Sequence, residues 1–178
     1  MTTGGRHGRP LHSLELLPDE EGQAAVRRDW HALREAGLPS QLDHRGATNA
    51  PHVTVLAAPA IGARAERVAA EVFGALLPAR ARASGLVLFG GRRVTVARVV
   101  DVEEPLLEAV VRVRAAVPEL PSQGWLPHVT LARRLDRADV QRAVDLLGHD
   151  DVVLTLTCLR RWDPDARVVT RVAGSRDG

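Results

Sequence analysis

Pro51-His52-Val53-Thr54 and Pro127-His128-Val129-Thr130 are two copies of one short phrase, with 76 residues from His52 to His128. In each copy a Pro precedes a run of β-branched and apolar residues, which reads as the mouth of a β-strand. Side chains alternate across a strand, so His52 shares a face with Thr54 and His128 with Thr130, while Val53 and Val129 point into a core. Each copy therefore offers an imidazole beside a hydroxyl. Two such strands brought face to face would line one groove with two His and two Thr, a set suited to acid–base chemistry on a phosphate.

The phrase sits inside a longer echo. After the first copy come the short run Val55-Leu56, a helical stretch from Gly62 to Leu76, and two apolar runs, Leu86 to Phe89 and Val94 to Val100. After the second come Leu131, a helical stretch from Asp136 to Leu147, and the runs Val152 to Leu159 and Arg167 to Ala173. The order is the same, and the repeat is too long for a solenoid unit. It predicts two lobes related by a pseudo-twofold axis, built on half-repeats around residues 51–100 and 127–173, each giving one motif to the space between them.

The remaining stretches fit that frame. Leu11 to Leu17 reads as a strand, followed by a helix that opens at Pro18 with Asp19, Glu20 and Glu21 and ends at Gly37, with Trp30 in its core stripe. Pro39 to Ala50 is polar and reads as a loop leading into His52, with His44 placed to line the groove entrance or simply to be solvated. Gly90-Gly91 predicts a tight hairpin turn, and Glu104-Pro105 opens a helix that Pro118 stops. Asp136 and Asp139 read as an N-cap and N3 pair, and so as capping carboxylates. Past Thr130, unbroken pleating would put Arg134 on the His face and Arg133 on the other, making Arg134 the phosphate-binding candidate. Trp125, in a Gly-Trp-Leu-Pro loop just before His128, can stack on a base at the groove mouth or pack under its loop.

Composition sets limits on partners. At 178 residues, 45% hydrophobic and 26% charged, the chain has the size and make-up of one folded domain, expected over residues 11–174. Residues 1–10, rich in Gly and Arg, are expected to form a disordered tail. The sequence pI of 9.8 reflects 24 cations that are all Arg, whereas the net charge is only +2. Such a charge steers nucleic acid weakly, so small or terminal substrates fit better than long duplexes. A lone Cys158 excludes an internal disulfide and a Cys-rich zinc module, and with no membrane-length apolar run the expected location is the cytoplasm. Neither motif carries carboxylates or a second His at metal-ligand spacing, so no metal and no cofactor are expected.

The paired H-x-T motifs, each opening a strand inside the matching order, resemble the 2H phosphoesterase superfamily, in particular its bacterial 2′-5′ RNA ligase or RNA 2′,3′-cyclic phosphodiesterase-like members. The resemblance covers roughly residues 11–173. It implies an α+β, bilobal fold: two pseudo-twofold-related lobes of antiparallel sheet with helices packed outside and an active groove between them. His52 and His128 would then be the catalytic pair, with Thr54 and Thr130 binding phosphate. The implied reaction is hydrolysis of 2′,3′-cyclic phosphate ends of RNA or nucleotides, with 2′-5′ ligation, a reverse transesterification, secondary to it; the chain is expected to be a monomer. Two alternatives stay open: a non-catalytic nucleotide-binding module, and a cyclic phosphodiesterase for small nucleotides such as ADP-ribose cyclic phosphate. The first strand departs from the family's Arg-x-aromatic pattern, reading Leu11-His12-Ser13-Leu14-Glu15.

Overall fold

A computed structural model describes residues 10–46, 48–118, 120 and 124–175. The tail expected over residues 1–10 lies, but for Pro10, outside the described residues. The chain runs β1 (His12–Pro18), α1 (Glu20–Glu35), β2 (Val53–Ala58), α2 (Ala63–Leu76), β3 (Ala79–Gly90), β4 (Arg93–Val102), α3 (Glu104–Ala115), β5 (His128–Asp136), α4 (Val140–Leu147), β6 (Val152–Asp163) and β7 (Val168–Gly174). Short 3₁₀ turns at Gln41–Asp43 and Arg137–Asp139 precede β2 and α4.

Local chemistry explains most boundaries. The Asp19 carboxylate accepts the Gly22 N–H at 2.8 Å and caps α1. Pro18 closes β1 and does not enter the first helical turn as expected, because it is the Asp19 side chain that supplies the cap. Asp136 caps the 3₁₀ turn ahead of α4, so the expected pairing with Asp139 at N3 of a single helix does not form. Gly90, at φ 101°, makes the β3–β4 turn, where a Cβ would lie 2.6 Å from the Arg93 carbonyl oxygen. β3 begins seven residues before the apolar run that announces it. Its first half alternates buried Ala81 and Ala83 with exposed Arg80 and Arg82, and Ala is a weak strand signal.

Seven strands form one sheet in the order β2-β1-β6-β3-β4-β5, with β7 added beside β6. Every pairing is antiparallel. The echo holds in order but not in space. The strand of the first motif, β2, pairs with β1, which pairs with β6 from the second half-repeat, whereas the hairpin β3–β4 of the first half-repeat pairs with β5, the strand of the second motif. Each lobe thus takes its hairpin from the other half-repeat, and the pairing of β3 with β6 joins the lobes. β2 and β5 stand at opposite ends of the strand order, yet parts of them come within 8 Å between Cα atoms, so the sheet curls until its two edges meet.

Leu14, Leu16, Trp30, Leu33, Phe73, Leu131 and Leu156 anchor the core. Arg98 on β4 is also buried there. It donates to both Asp29 carboxylate oxygens at 2.7 and 3.3 Å and to the Leu147 and Asp150 carbonyls, tying α1 to the end of α4. Among the described residues, no helix is long and apolar enough to cross a membrane.

Candidate active site

The two motifs repeat each other atom for atom in their local bonding. His52 Nδ1 lies 2.7 Å from the Ala50 carbonyl oxygen, and His128 Nδ1 lies 2.8 Å from that of Leu126, two residues upstream in both cases. A ring nitrogen facing a carbonyl must carry the hydrogen, so in each neutral ring Nε2 keeps the lone pair. Each strand then bulges just after its Thr. In β2 the pairing with β1 skips Val55, and in β5 the pairing with β4 skips Leu131. A bulge puts two consecutive residues on one face, and Val55 with Leu56, like Leu131 with Ala132, both turn into the core.

An indole N–H meets the backbone beside each bulge. Trp125 donates to the Thr54 carbonyl at 2.9 Å, and Trp30 donates to the Thr130 carbonyl at 3.1 Å. Trp125 is half-buried against the core, and its bond braces the first motif.

A groove of about 570 Å³ opens over β1, β2 and β6. Its floor follows from register. Glu15 lies between Thr54 and Arg160 on the flanking strands, and Ser13 lies between Ala57 and Trp162, all of them lining residues. The loop before β2 adds Gln41, His44, Thr48 and Asn49, and His52 stands at the edge. Arg133, and not Arg134, lines this groove. The bulge at Leu131 shifts the alternation by one residue, so Arg133 takes the face expected for Arg134, while Arg134 adopts φ 60° and offers its carbonyl to Arg93 at 3.2 Å. Ala57 and Arg133 hold the same place in the two copies, and only the second brings a cation.

Charge on the floor is paired. Glu15 accepts from the Ser13 hydroxyl at 2.6 Å and from Arg160 Nε at 2.8 Å, and Arg160 also donates to the Thr48 carbonyl. Burial works to raise the Glu15 carboxyl, but His52, Ser13 and Arg160 hold it below its ordinary value. Burial pushes His52 below 6.5; Glu15 and the Ala50 carbonyl oppose that shift, and Arg160 and Arg133 add to it. His52 is therefore a neutral imidazole at pH 7, with its lone pair on Nε2.

His128 and Thr130 are not among the residues lining this groove. They lie on β5, which pairs with β4 and not with a strand of the groove floor, and there the His128 ring tilts against Phe89 with centroids 5.0 Å apart. What joins the two motifs across the gap is the Trp125 bond to Thr54 and the field of Arg133 on His52. A second polar cluster lies elsewhere: His12, Asp163 and Asp165 bring ligand atoms within 4.8 Å of one another. Arg161 reaches into it, 3.3 Å from His12 Nδ1 and 3.6 Å from Asp163, and it also pairs with Glu66, so a guanidinium already supplies the positive charge.

A model of the 2′-5′ RNA ligase superfamily matches residues 19–168. Among solved structures, TT0787 of Thermus thermophilus is 19% identical with a TM-score of 0.56, over 93% of this chain and 100% of that one. E. coli LigT in its apo form is 14% identical with a TM-score of 0.50, over 91% and 94%. LigT complexed with 3′-AMP is 15% identical with a TM-score of 0.50, over 92% and 95%. At these identities the likeness is one of fold. No curated protein matches the sequence.

Proposed function

On the premise that the chain belongs to the 2′-5′ RNA ligase superfamily, we propose that it is a phosphoesterase that opens 2′,3′-cyclic phosphates at RNA ends or on nucleotides. The reading is carried by the matched bonding of the two imidazoles, each with Nδ1 on the carbonyl two residues upstream. Both rings are thereby set in one tautomer with Nε2 as the working nitrogen, as a reaction with two proton transfers needs. His52, neutral at pH 7, takes a proton from water as the oxygen attacks phosphorus. His128 gives a proton from Nε2 to the ribose oxygen as the P–O bond breaks. Thr54 and Thr130 donate to non-bridging oxygens, and Arg133 offsets their growing charge. The two imidazoles cover both proton transfers, so the scheme calls for no metal. With a 5′-hydroxyl in place of the attacking water, the same two proton transfers join a 2′-5′ bond. LigT has been solved with 3′-AMP, and a mononucleotide is of a size suited to a groove of about 570 Å³.

The test is turnover, in chelator, of 2′,3′-cyclic nucleotides, cyclic-phosphate-ended RNA and ADP-ribose 1″,2″-cyclic phosphate. His52→Ala and His128→Ala should each lower hydrolysis by about 10²- to 10⁴-fold with the circular dichroism spectrum unchanged. Wild-type turnover in either variant overturns the two-proton scheme. Tight nucleotide binding without turnover of any substrate would assign the chain a binding role instead.

A further inference from the structure

The first strand brings a carboxylate to the floor of an anion-binding groove. Glu15 is 7% exposed and is the only carboxylate among the described residues that line the groove. An acid there repels a phosphate and is costly to bury unless paired. Arg160 pairs it, yet a purely structural ion pair has no need to face the imidazole. Glu15 Oε1 stands 3.8 Å from His52 Nε2, the nitrogen left free by the Nδ1 bond to Ala50. The groups that bear on His52 are Glu15 from β1, Arg160 from β6 and Arg133 from β5, with His44 lining the same groove from the loop. Both guanidiniums disfavour an imidazolium, and of the side chains that bear on the ring Glu15 alone favours one, alongside the Ala50 carbonyl at Nδ1. A dry imidazole facing two cations would be too weak a base to take a proton from water, since the efficiency of a general base follows its basicity.

We propose that Glu15 is a positioning residue for His52: its carboxylate, 3.8 Å from Nε2, stabilises by its charge the imidazolium that forms when His52 takes the proton from water. The water O–H bond breaks, its oxygen bonds to phosphorus, and its proton becomes the Nε2–H of a His52 imidazolium beside the Glu15 carboxylate. The leaving ribose oxygen takes its proton from His128, and solvent resets both rings. The Ser13 hydroxyl, bonded to the same Oε1, moderates the pull of the carboxylate.

This inference rests on the hydrolytic role proposed for His52, so its test has one arm that needs no turnover. The His52 imidazole is titrated by NMR in substrate-free protein, its signal assigned by its loss in His52→Ala. In Glu15→Gln the midpoint should fall by about one pH unit, the effect expected of removing an opposite charge at this distance. Glu15→Asp should restore most of it. Ser13→Ala, which frees Oε1, should move the midpoint up. In the second arm, the acid limb of the kcat/KM profile should move down with the midpoint, and kcat on the plateau should fall about tenfold while KM for the anionic substrate does not rise. A His52 midpoint unchanged in both Glu15→Gln and Ser13→Ala, or lost activity with an unmoved acid limb, overturns the proposal. Should Glu15→Gln not fold, the Ser13→Ala midpoint decides. If the wild type turns over no cyclic phosphate but the midpoints move as stated, the hydrolytic reading fails and the Glu15–His52 contact stands.

Discussion

Trp30→Phe removes one hydrogen-bond donor and part of one ring from a side chain that is 2% exposed. The donor is the indole N–H bonded to the Thr130 carbonyl at 3.1 Å, beside the β5 bulge where the ladder to β4 is interrupted. Leaving a buried acceptor unpaired costs about 1 to 3 kcal/mol. Losing the second ring's atoms from a packed site adds about 1 kcal/mol. The variant should therefore be about 2 to 4 kcal/mol less stable, which for a domain of this size lowers Tm by about 6 to 12 °C. Trp125→Phe removes the matching bond to Thr54, but that side chain is half-buried and water can take the donor's place, so about 0.5 to 1.5 kcal/mol is expected. Urea unfolding followed by far-ultraviolet circular dichroism measures both without depending on the lost fluorophore. Placing 3-benzothienylalanine at position 30 keeps the ring shape and deletes only the N–H, which isolates the hydrogen bond. The bracing argument fails if Trp30→Phe lies within about 0.5 kcal/mol of wild type. It also fails if Trp125→Phe costs more than Trp30→Phe.

Two further outcomes can be stated. Arg133→Ala should lower kcat/KM for a cyclic phosphate by about 10- to 100-fold, as expected for a lost charge-assisted contact, while Arg134→Ala stays within about twofold; steady-state kinetics on the two variants reverses the assignment if Arg134 proves the sensitive one. Because burial holds His52 below 6.5 in the folded protein, the unfolded chain binds the extra proton first as pH falls, so stability should begin to drop below pH 6.5. Glu15, held below its ordinary 4.5, extends the loss to lower pH, since its stabilising contribution disappears as pH passes down through the folded value. Urea midpoints from pH 8 to pH 4 should show the first step in wild type and lack it in His52→Gln; an identical step in both would place its origin elsewhere.

The order of elements was legible because periodicity and turn chemistry act locally. The apolar stripe through Ala65, Ala69 and Phe73 announces α2, and Gly148, at φ 61°, marks the end of α4. Which strand pairs with which was not legible. β3–β4 and β6–β7 are equivalent hairpins in the echo, and no residue in either says whether its partner is the motif strand of its own half-repeat or of the other. That choice rests on contacts far apart in sequence, such as Ala79 opposite Leu156.

The site shows the same limit more sharply, at the scale of single residues. Thr54 on β2, His128 and Thr130 on β5, and His52 just ahead of β2 all precede the bulges, so a simple two-residue alternation applies to them unshifted. Arg133 and Arg160 follow one. In β5 the bulge at Leu131 moves Arg133 to the face expected of Arg134, and in β6 the pairing with β1 skips Thr157, which turns Arg160 and Trp162 into the groove and Arg161 toward His12. A bulge costs one residue of register and leaves no mark in the composition of the strand, because Val-Leu and Leu-Ala pairs pack as well in an unbroken core. Ser13 and Glu15 needed no bulge. They alternate with Leu14 and Leu16 along β1, and a strand with polar residues on one face and Leu on the other already says that the polar face meets something other than core. Set opposite Thr54 by register, that face brings Glu15 to 3.8 Å from His52 Nε2, where its charge favours the imidazolium that burial disfavours.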